Sequence, residues 1–273
     1  MLRARDRVVL ACIVALVTVP GGAAAQEVKR LFAPLLADPK QPHFFAAWLS
    51  VKSPIVSGTV ANVGLGEDVA FASGRNGRWE ISVAAGVFSQ FNLGTRSIDL
   101  INTDFTIGFP LVYRAGAGSL RLKLYHQSSH LGDEFILNTN PTRVNLSFEA
   151  VELLASREFG EVRAYGGGEY IVRHEPADLQ PGLLHAGVEF RPRSIGLGRG
   201  RMIAAIDAKS SQERKWRVGW SGRVGLEVRV PLQGTAAVRR FSVQLQGYTG
   251  PAPYGQFYQE NVRSLGVGIH LAL

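Results

Sequence analysis

A histidine and a serine separated by one residue could carry out nucleophilic chemistry in this chain. His126 and Ser128 lie at the end of a segment in which apolar and polar residues alternate. Residues two apart on a β-strand lie on one face, with Cα atoms about 6.6 Å apart, so the imidazole and the hydroxyl can come within hydrogen-bond reach. Serine is a weak nucleophile until a base takes its proton, and His126 could be that base for Ser128.

The alternation predicts that both side chains point toward lipid. His126 and Ser128 occupy even-numbered positions, as Leu120 and Leu122 do, so they share the apolar face. Arg121 occupies an odd-numbered position on the other face, which is expected to line the lumen. Polar groups that face hydrocarbon are costly, so their presence on an apolar face needs a reason. Catalysis in water-poor surroundings would be such a reason.

A third side chain would have to orient the imidazole of His126. Glu134 lies in the segment that follows, and Asn145 lies near the start of the next alternating segment. Simple alternation puts Asn145 on the lumen face, so a β-bulge would be needed to turn it outward. Glu134 and Asn145 are therefore both candidates for the orienting group.

Two other interpretations of this segment remain open. His126 and Ser128 could belong to a polar girdle at the membrane interface, with no chemistry. Asp133 and Glu134 could instead hold calcium together with loop carbonyls. His126 and His130 are about 13 Å apart along a straight strand, so they cannot share one metal ion without a bend.

The rest of the chain predicts the all-β scaffold that would position this segment. Alternating segments of about ten residues recur to the C-terminus, separated by Gly, Pro, Asn and Ser. They predict a transmembrane, antiparallel, up-and-down β-barrel of about twelve strands over residues 43–273. The final segment is similar to the terminal strand by which the barrel assembly machinery folds such proteins.

The connections between these strands alternate in length. Residues 74–77 and 115–118 form tight turns, which we expect on the periplasmic side. Three other segments are longer and are expected to be extracellular: 51–65, 131–142 and 250–260. This topology would place Ser128 near the outer leaflet.

The first 25 residues predict a cleaved signal peptide. Three arginines precede an apolar run from Val8 to Val19, which is too short to span a bilayer as a helix. Small residues follow at 23–25, so the mature chain would start at Gln26, and residues 26–42 would form a periplasmic lead-in. The single cysteine, Cys12, would leave with the signal, so the mature chain would have no disulfide and no thiolate site.

The formal net charge of +8 restricts the choice of partners. Export to the cell envelope argues against nucleic acid. Membrane lipid or lipopolysaccharide is a better partner for the basic charge. Alternatively, the arginines line a polar lumen beside acidic residues such as Glu161 and Glu189.

Three segments carry a resemblance that spans most of the mature chain. Leu35–Pro39, Asp99–Asp104 and His126–Glu134 together resemble a bacterial family of unknown function, number 1207. That resemblance implies an exported envelope protein and supplies no activity.

The tripeptide His126-Gln127-Ser128 also resembles the His-x-Ser of outer-membrane phospholipase A. That family is a twelve-stranded barrel in which His and Ser face lipid and an Asn of the next strand orients the His. The resemblance implies Ser128 as nucleophile, His126 as base and Asn145 as orienting residue, with calcium and a homodimer as activators. Lipid A deacylases are similar and have a Glu as the third member.

Together these patterns predict an outer-membrane barrel that hydrolyses acyl esters of phospholipid or lipid A. The alternative is a non-catalytic barrel, either structural or pore-forming. A dense lumen of paired charges would disfavour a pore.

The signal peptide can be tested directly. Protein purified from an outer-membrane fraction should begin at Gln26 when its intact mass and N-terminal sequence are measured. A chain that retains Met1 would contradict the predicted signal peptide, and recovery of the protein from the soluble periplasm would contradict the predicted outer-membrane barrel.

Overall fold

The computed structural model describes residues 30–192, 196–197, 200–231 and 238–272. The predicted signal peptide and the predicted start at Gln26 lie outside the described residues. Within them, twelve strands follow one another around a closed antiparallel barrel. The strands are β1 (Phe44–Lys52), β2 (Ser57–Ser73), β3 (Trp79–Asn92), β4 (Asp99–Ala115), β5 (Gly118–Leu131), β6 (Leu146–Phe159), β7 (Val162–Glu175), β8 (Gly182–Phe190), β9 (Gly200–Ser211), β10 (Val218–Pro231), β11 (Val238–Pro251) and β12 (Asn261–Ala272).

Each strand pairs with its neighbours in sequence, and the first and last strands close the ring. The β1–β12 register runs from Phe44 opposite Leu271 to Lys52 opposite Arg263. A two-residue bridge at Gly196–Leu197 pairs with the start of β9. The predicted fold class is therefore confirmed.

Helical structure is confined to the connections. One α-helix, α1 (Asp133–Thr139), lies between β5 and β6. Single 3-10 turns occur at Gln212–Arg214 and Gly255–Phe257. In the part of the chain that the structure describes, no helix is long and apolar enough to cross a bilayer.

One predicted loop is wrong. We expected a long connection over residues 51–65, but β2 begins at Ser57 and only residues 53–56 join it to β1. The Ser53 hydroxyl stabilises this short turn by accepting the N–H of Val56 at 2.9 Å. The start of β2 is hard to recognise because Gly64 stands at an inward position, where the Phe45 ring would lie 2.1 Å from a Cβ.

The two faces of the sheet differ as the alternation predicts. On β5, Leu120 and Leu124 are exposed on the outside, and Arg121 is buried inside. On β10, Trp220 is exposed and Glu227 is buried. The barrel thus presents an apolar outer surface and a polar interior, the arrangement that a lipid environment selects.

Residues 30–43 lie inside the barrel, and they include most of the segment 26–42 that was predicted as a periplasmic lead-in. The N–H of Leu36 donates to Glu189 at 2.6 Å, and Arg163 donates to the carbonyl of Ala33 at 2.8 Å. The Phe32 ring is flanked by the guanidinium groups of Arg121 and Arg163, 4.5 and 4.6 Å from its centroid. A barrel of this size has more interior volume than its inward side chains fill, and this segment occupies part of it.

The interior also contains a dense set of ion pairs. Arg121 pairs with Glu152 at 2.8 Å, and Arg163 pairs with Glu189 at 3.3 Å. Lys209 reaches Asp38 of the N-terminal segment at 2.8 Å. These pairs fix the segment in place inside the barrel.

We expect the Glu152 pair to be important for stability. Glu152→Gln leaves Arg121 buried without its carboxylate, a change that typically costs about 3–5 kcal/mol of unfolding free energy. Glu158→Gln is the control, because Glu158 pairs with Arg114 at 2.9 Å near the surface, where such pairs are worth about 0–1 kcal/mol. The unfolding free energy of each variant is measured by urea titration in detergent micelles, with the gel shift between folded and unfolded barrel as the signal. Equal losses of unfolding free energy in Glu152→Gln and Glu158→Gln would contradict the importance of the buried Arg121–Glu152 pair for stability.

Candidate functional site

His126 and Ser128 both lie on the outward face of β5, as the alternation predicts. Each is half-buried, and the neighbours on that face are Leu124 and His130, both exposed. The inward positions between them, Gln127 and Ser129, are buried. The two side chains therefore lie close to the end of β5 that leads into α1, on the surface that would contact lipid.

The side chain that orients His126 is Glu149 of β6. The two residues stand directly opposite each other in the β5–β6 register. His126 Nδ1 lies 3.1 Å from Glu149 Oε1, and each side chain is 40% exposed. With Nδ1–H donating to the carboxylate, the neutral ring keeps its free lone pair on Nε2, which is the arrangement required of a general base.

Ser128 stands one row further along the same face. It is opposite Ser147 on β6 and opposite Phe105 on β4. Its hydroxyl makes no hydrogen bond to any described residue, so the bond between Ser128 and His126 is not formed here. Such bonds often tighten only when substrate is bound.

The structure gives a different position for Asn145 from the one that alternation suggested. Simple alternation predicts Asn145 on the lumen face, because Leu146 and Phe148 are apolar and are expected to face lipid. Those two residues instead point inward, where they pack with Ala150 and Leu179 in a core cluster. Asn145 is exposed just before β6 and has the parity of Ser147, so no bulge is needed to turn it outward. It forms no hydrogen bond with His126.

Glu134 does not reach His126 either. Asp133 and Glu134 form the first turn of α1, where both are exposed. Nowhere among the described residues do three His, Cys, Asp or Glu side chains gather as metal ligands. The predicted calcium site at Asp133 and Glu134 has no third side-chain ligand of this kind among the described residues, so its other ligands would have to be loop carbonyls.

Sequence reasoning missed Glu149. The signal was present in the alternation of β6, but the apolar residues at 146 and 148 suggested the opposite face. The pairing partner of His126 also depends on how many residues the α1 connection takes up, which the sequence does not state.

The surroundings of the site are apolar. Ile107 of β4 stands opposite His126 and is exposed, as are Phe105 and Leu124. His130 packs edge-on against Phe105, with ring centroids 5.8 Å apart. The polar cluster of His126, Ser128, Ser147 and Glu149, termed the outward cluster below, is thus bordered by side chains suited to acyl chains.

The match to a family model extends over residues 9–273, and the family is described as a protein of unknown function, DUF1207. The chain belongs to this family. No match was found among curated proteins.

Solved structures with a similar fold include outer-membrane phospholipase A from Escherichia coli, at 13% identity with a TM-score of 0.60, covering 91% of this chain and 96% of that one. The Salmonella typhi outer-membrane phospholipase dimer with bound calcium is similar at 13% identity and a TM-score of 0.55, covering 85% of this chain and 92% of that one. LpxR from Salmonella typhimurium has 10% identity and a TM-score of 0.38, covering 77% of this chain and 88% of that one. The two phospholipase structures show that this DUF1207 chain has an outer-membrane type of barrel.

The register of the outward cluster can be tested by cross-linking. Directly opposed residues in an antiparallel pair have Cα atoms about 4.5–5.5 Å apart, within the range that a disulfide requires. Ser128→Cys with Ser147→Cys should therefore form an intrachain disulfide on mild oxidation, detected as loss of maleimide labelling by mass spectrometry. Ser128→Cys with Glu149→Cys is a diagonal pair at about 7–8 Å and should keep both thiols. A disulfide in the Ser128→Cys/Glu149→Cys pair and free thiols in the Ser128→Cys/Ser147→Cys pair would mean that the register of β6 against β5 differs from the one described.

Proposed function

We propose that this protein is a lipid acyl-ester hydrolase of the bacterial outer membrane, with Ser128 as nucleophile, His126 as general base and Glu149 as the group that orients His126. The observation that carries the proposal is the hydrogen bond between His126 and Glu149 on the outward face, one row from Ser128. This arrangement places a nucleophile, a base and an orienting carboxylate where an acyl chain would lie.

In the proposed reaction Ser128 Oγ attacks the carbonyl carbon of a lipid ester while His126 Nε2 takes the hydroxyl proton. His126 then donates that proton to the leaving alcohol oxygen, and the acyl group stays on Ser128 as an ester. Water, deprotonated by His126, attacks this ester and releases a fatty acid and free Ser128. Glu149 stabilises the imidazolium that forms in both steps.

The substrate class follows from the surroundings of the site. An outward-facing nucleophile bordered by Phe105, Ile107 and Leu124 meets the acyl region of a lipid rather than a soluble ester. Phospholipid and lipid A both present acyl esters at this depth. In the proposed topology the cluster lies near the outer leaflet, because β5 ends there in the α1 connection, the longest of the loops at that end of the barrel.

Two further features belong to the proposal. A signal peptide ending at residue 25 would direct the chain to the envelope, where the barrel assembly machinery would insert it. A second copy packed against the outward face of β4–β6 would shield the cluster from bulk lipid and form a homodimer.

A pore is the weaker alternative. Residues 30–43 and the ion pairs of Arg121, Arg163 and Lys209 occupy the interior. The competing function is that of a structural barrel without catalytic activity. In that case the outward cluster would be a polar girdle at the membrane interface.

Single substitutions in the outward cluster separate these alternatives. Ser128→Ala and His126→Ala should each reduce fatty acid release from phospholipid or lipid A in mixed micelles by about a thousandfold or more, because such residues act as a unit. Glu149→Ala should cost less than either. Liberated fatty acid is measured by mass spectrometry, in separate reactions with calcium and with a chelator. An activated-serine probe should label Ser128.

Ser147→Ala is the matched control and should keep its hydrolytic activity, because Ser147 is a neighbouring serine on the same face that is not the proposed nucleophile. Asn145→Ala and Glu134→Ala should also remain active, since neither contacts His126. Full activity in Ser128→Ala would exclude this serine as the nucleophile. No hydrolysis of either lipid by the folded wild-type barrel would favour the structural alternative.

A further inference from the structure

Inside the barrel, a separate pocket opens toward the end that carries the α1 connection. It lies between β1, β2, β11, β12 and the segment 252–260, and its volume is about 80 Å³. Its wall is apolar, formed mainly by Leu49, Val51, Ile55, Val60, Ile101 and Phe257. Its polar lining includes Asn62, Ser221, Arg223 and Gln246. We call this the mouth pocket.

Arg223 is the unusual member of this lining. Its side chain lies on β10, and the residue is only 7% exposed. Its hydrogen-bond partner is His270 Nδ1, at 3.5 Å, and no carboxylate among the described residues lies within 4.0 Å of it. A buried cation without a counter-ion is costly, so the site favours an anion that the chain itself does not provide.

The acids that might neutralise Arg223 are already bound elsewhere. Asp38 pairs with Lys209, Asp104 pairs with Lys40, and Asp207 accepts from His185 at 2.6 Å. Each of these carboxylates therefore has a cationic or hydrogen-bonded partner of its own. No carboxylate among the described residues therefore pairs directly with Arg223, and Asp38 and Asp207 act on its charge only from a distance.

The neutral groups near Arg223 supply no negative charge either. Burial and the nearby Arg223 guanidinium lower the pKa of His43 to about 4, so its ring is neutral at pH 7. Burial raises the pKa of Tyr254 to about 12, so its hydroxyl is also neutral. Asn62 Oδ1 and Gln246 Oε1 are buried without a hydrogen-bond partner. Asn62 Nδ2 donates to the Tyr254 hydroxyl at 2.8 Å, whereas Gln246 can present its NH₂ to an anion by rotating its amide.

We propose that the mouth pocket binds the carboxylate of a medium-chain fatty acid, with the carboxylate at Arg223 and the chain along the apolar wall. A cation among polar side chains on one side of the pocket, opposite an apolar wall, matches an amphiphile with one small anionic head. The volume of about 80 Å³ excludes the paired chains of a phospholipid, and a single chain longer than the pocket would extend through its open end. Glu260, in the segment that leads into β12, also lines the pocket, and its negative charge disfavours a second anionic group there.

This site is independent of the proposed hydrolysis. It lies inside the barrel, whereas Ser128 faces outward. Binding of a fatty acid here does not require that the protein produce one.

Calorimetric titration of the folded full-length protein in maltoside micelles with octanoate tests the proposal. Wild-type protein should bind octanoate at one saturable site, and octanoate should raise the midpoint of thermal unfolding. Arg223→Gln should weaken binding at least tenfold and abolish the shift in midpoint. Arg143→Gln is the matched control, because Arg143 is an exposed arginine in the α1 connection and should bind octanoate as the wild type does.

Further arms identify what the pocket recognises. Val262→Phe narrows the pocket and should weaken octanoate binding without touching Arg223, which keeps the test valid if Arg223→Gln does not fold. Octan-1-ol, which has no charge, and inorganic phosphate, which has no chain, should each bind at least tenfold more weakly. Ser128→Ala should bind octanoate normally, which separates this site from the proposed hydrolase. No saturable binding, equal binding of octan-1-ol or phosphate, or binding unchanged in Arg223→Gln would overturn the proposal.

Discussion

Closure of the sheet between β1 and β12 is the constraint on which the rest of this structure depends. A bilayer offers no hydrogen bonds to backbone N–H and C=O groups, so a sheet that crosses it cannot have a free edge. The register from Phe44–Leu271 to Lys52–Arg263 removes that edge. Once the ring is closed, every strand has one face toward lipid and one toward the interior, and the alternation of the sequence is then fixed in space.

Closure also creates an interior that has to be filled. Twelve strands enclose more volume than their inward side chains occupy. Residues 30–43 occupy part of it with Phe32 and Leu35, while Asp38 and Lys40 neutralise Lys209 and Asp104. These charges of the segment and of the strands are therefore matched to each other, whereas no carboxylate of the described residues lies within 4.0 Å of Arg223.

The outward cluster depends on the same framework in a different way. His126 and Glu149 belong to strands that are rigid and hydrogen-bonded on both sides, so their side chains are held opposite each other without help from a loop. A site built on paired strands is positioned more precisely than a site on loops. The cost of holding polar groups at a lipid surface is reduced when they bond to one another, as His126 and Glu149 do.

The sequence by itself determined the class of fold, the approximate strands and the outward direction of His126 and Ser128, because a period of two residues is a local property that each strand carries. The pattern predicted the wrong face for the start of β6. Leu146 and Phe148 are apolar and yet face inward, where Leu179 from the connection between β7 and β8 packs on them. Only the tertiary structure decided that Glu149 stands opposite His126 and that the N–H of Leu36 bonds Glu189, 153 residues away. It also decided that no described carboxylate lies within 4.0 Å of Arg223. These outcomes depend on strand register and on which segment enters the interior, and both are set by contacts between residues far apart in the chain, which no local pattern encodes.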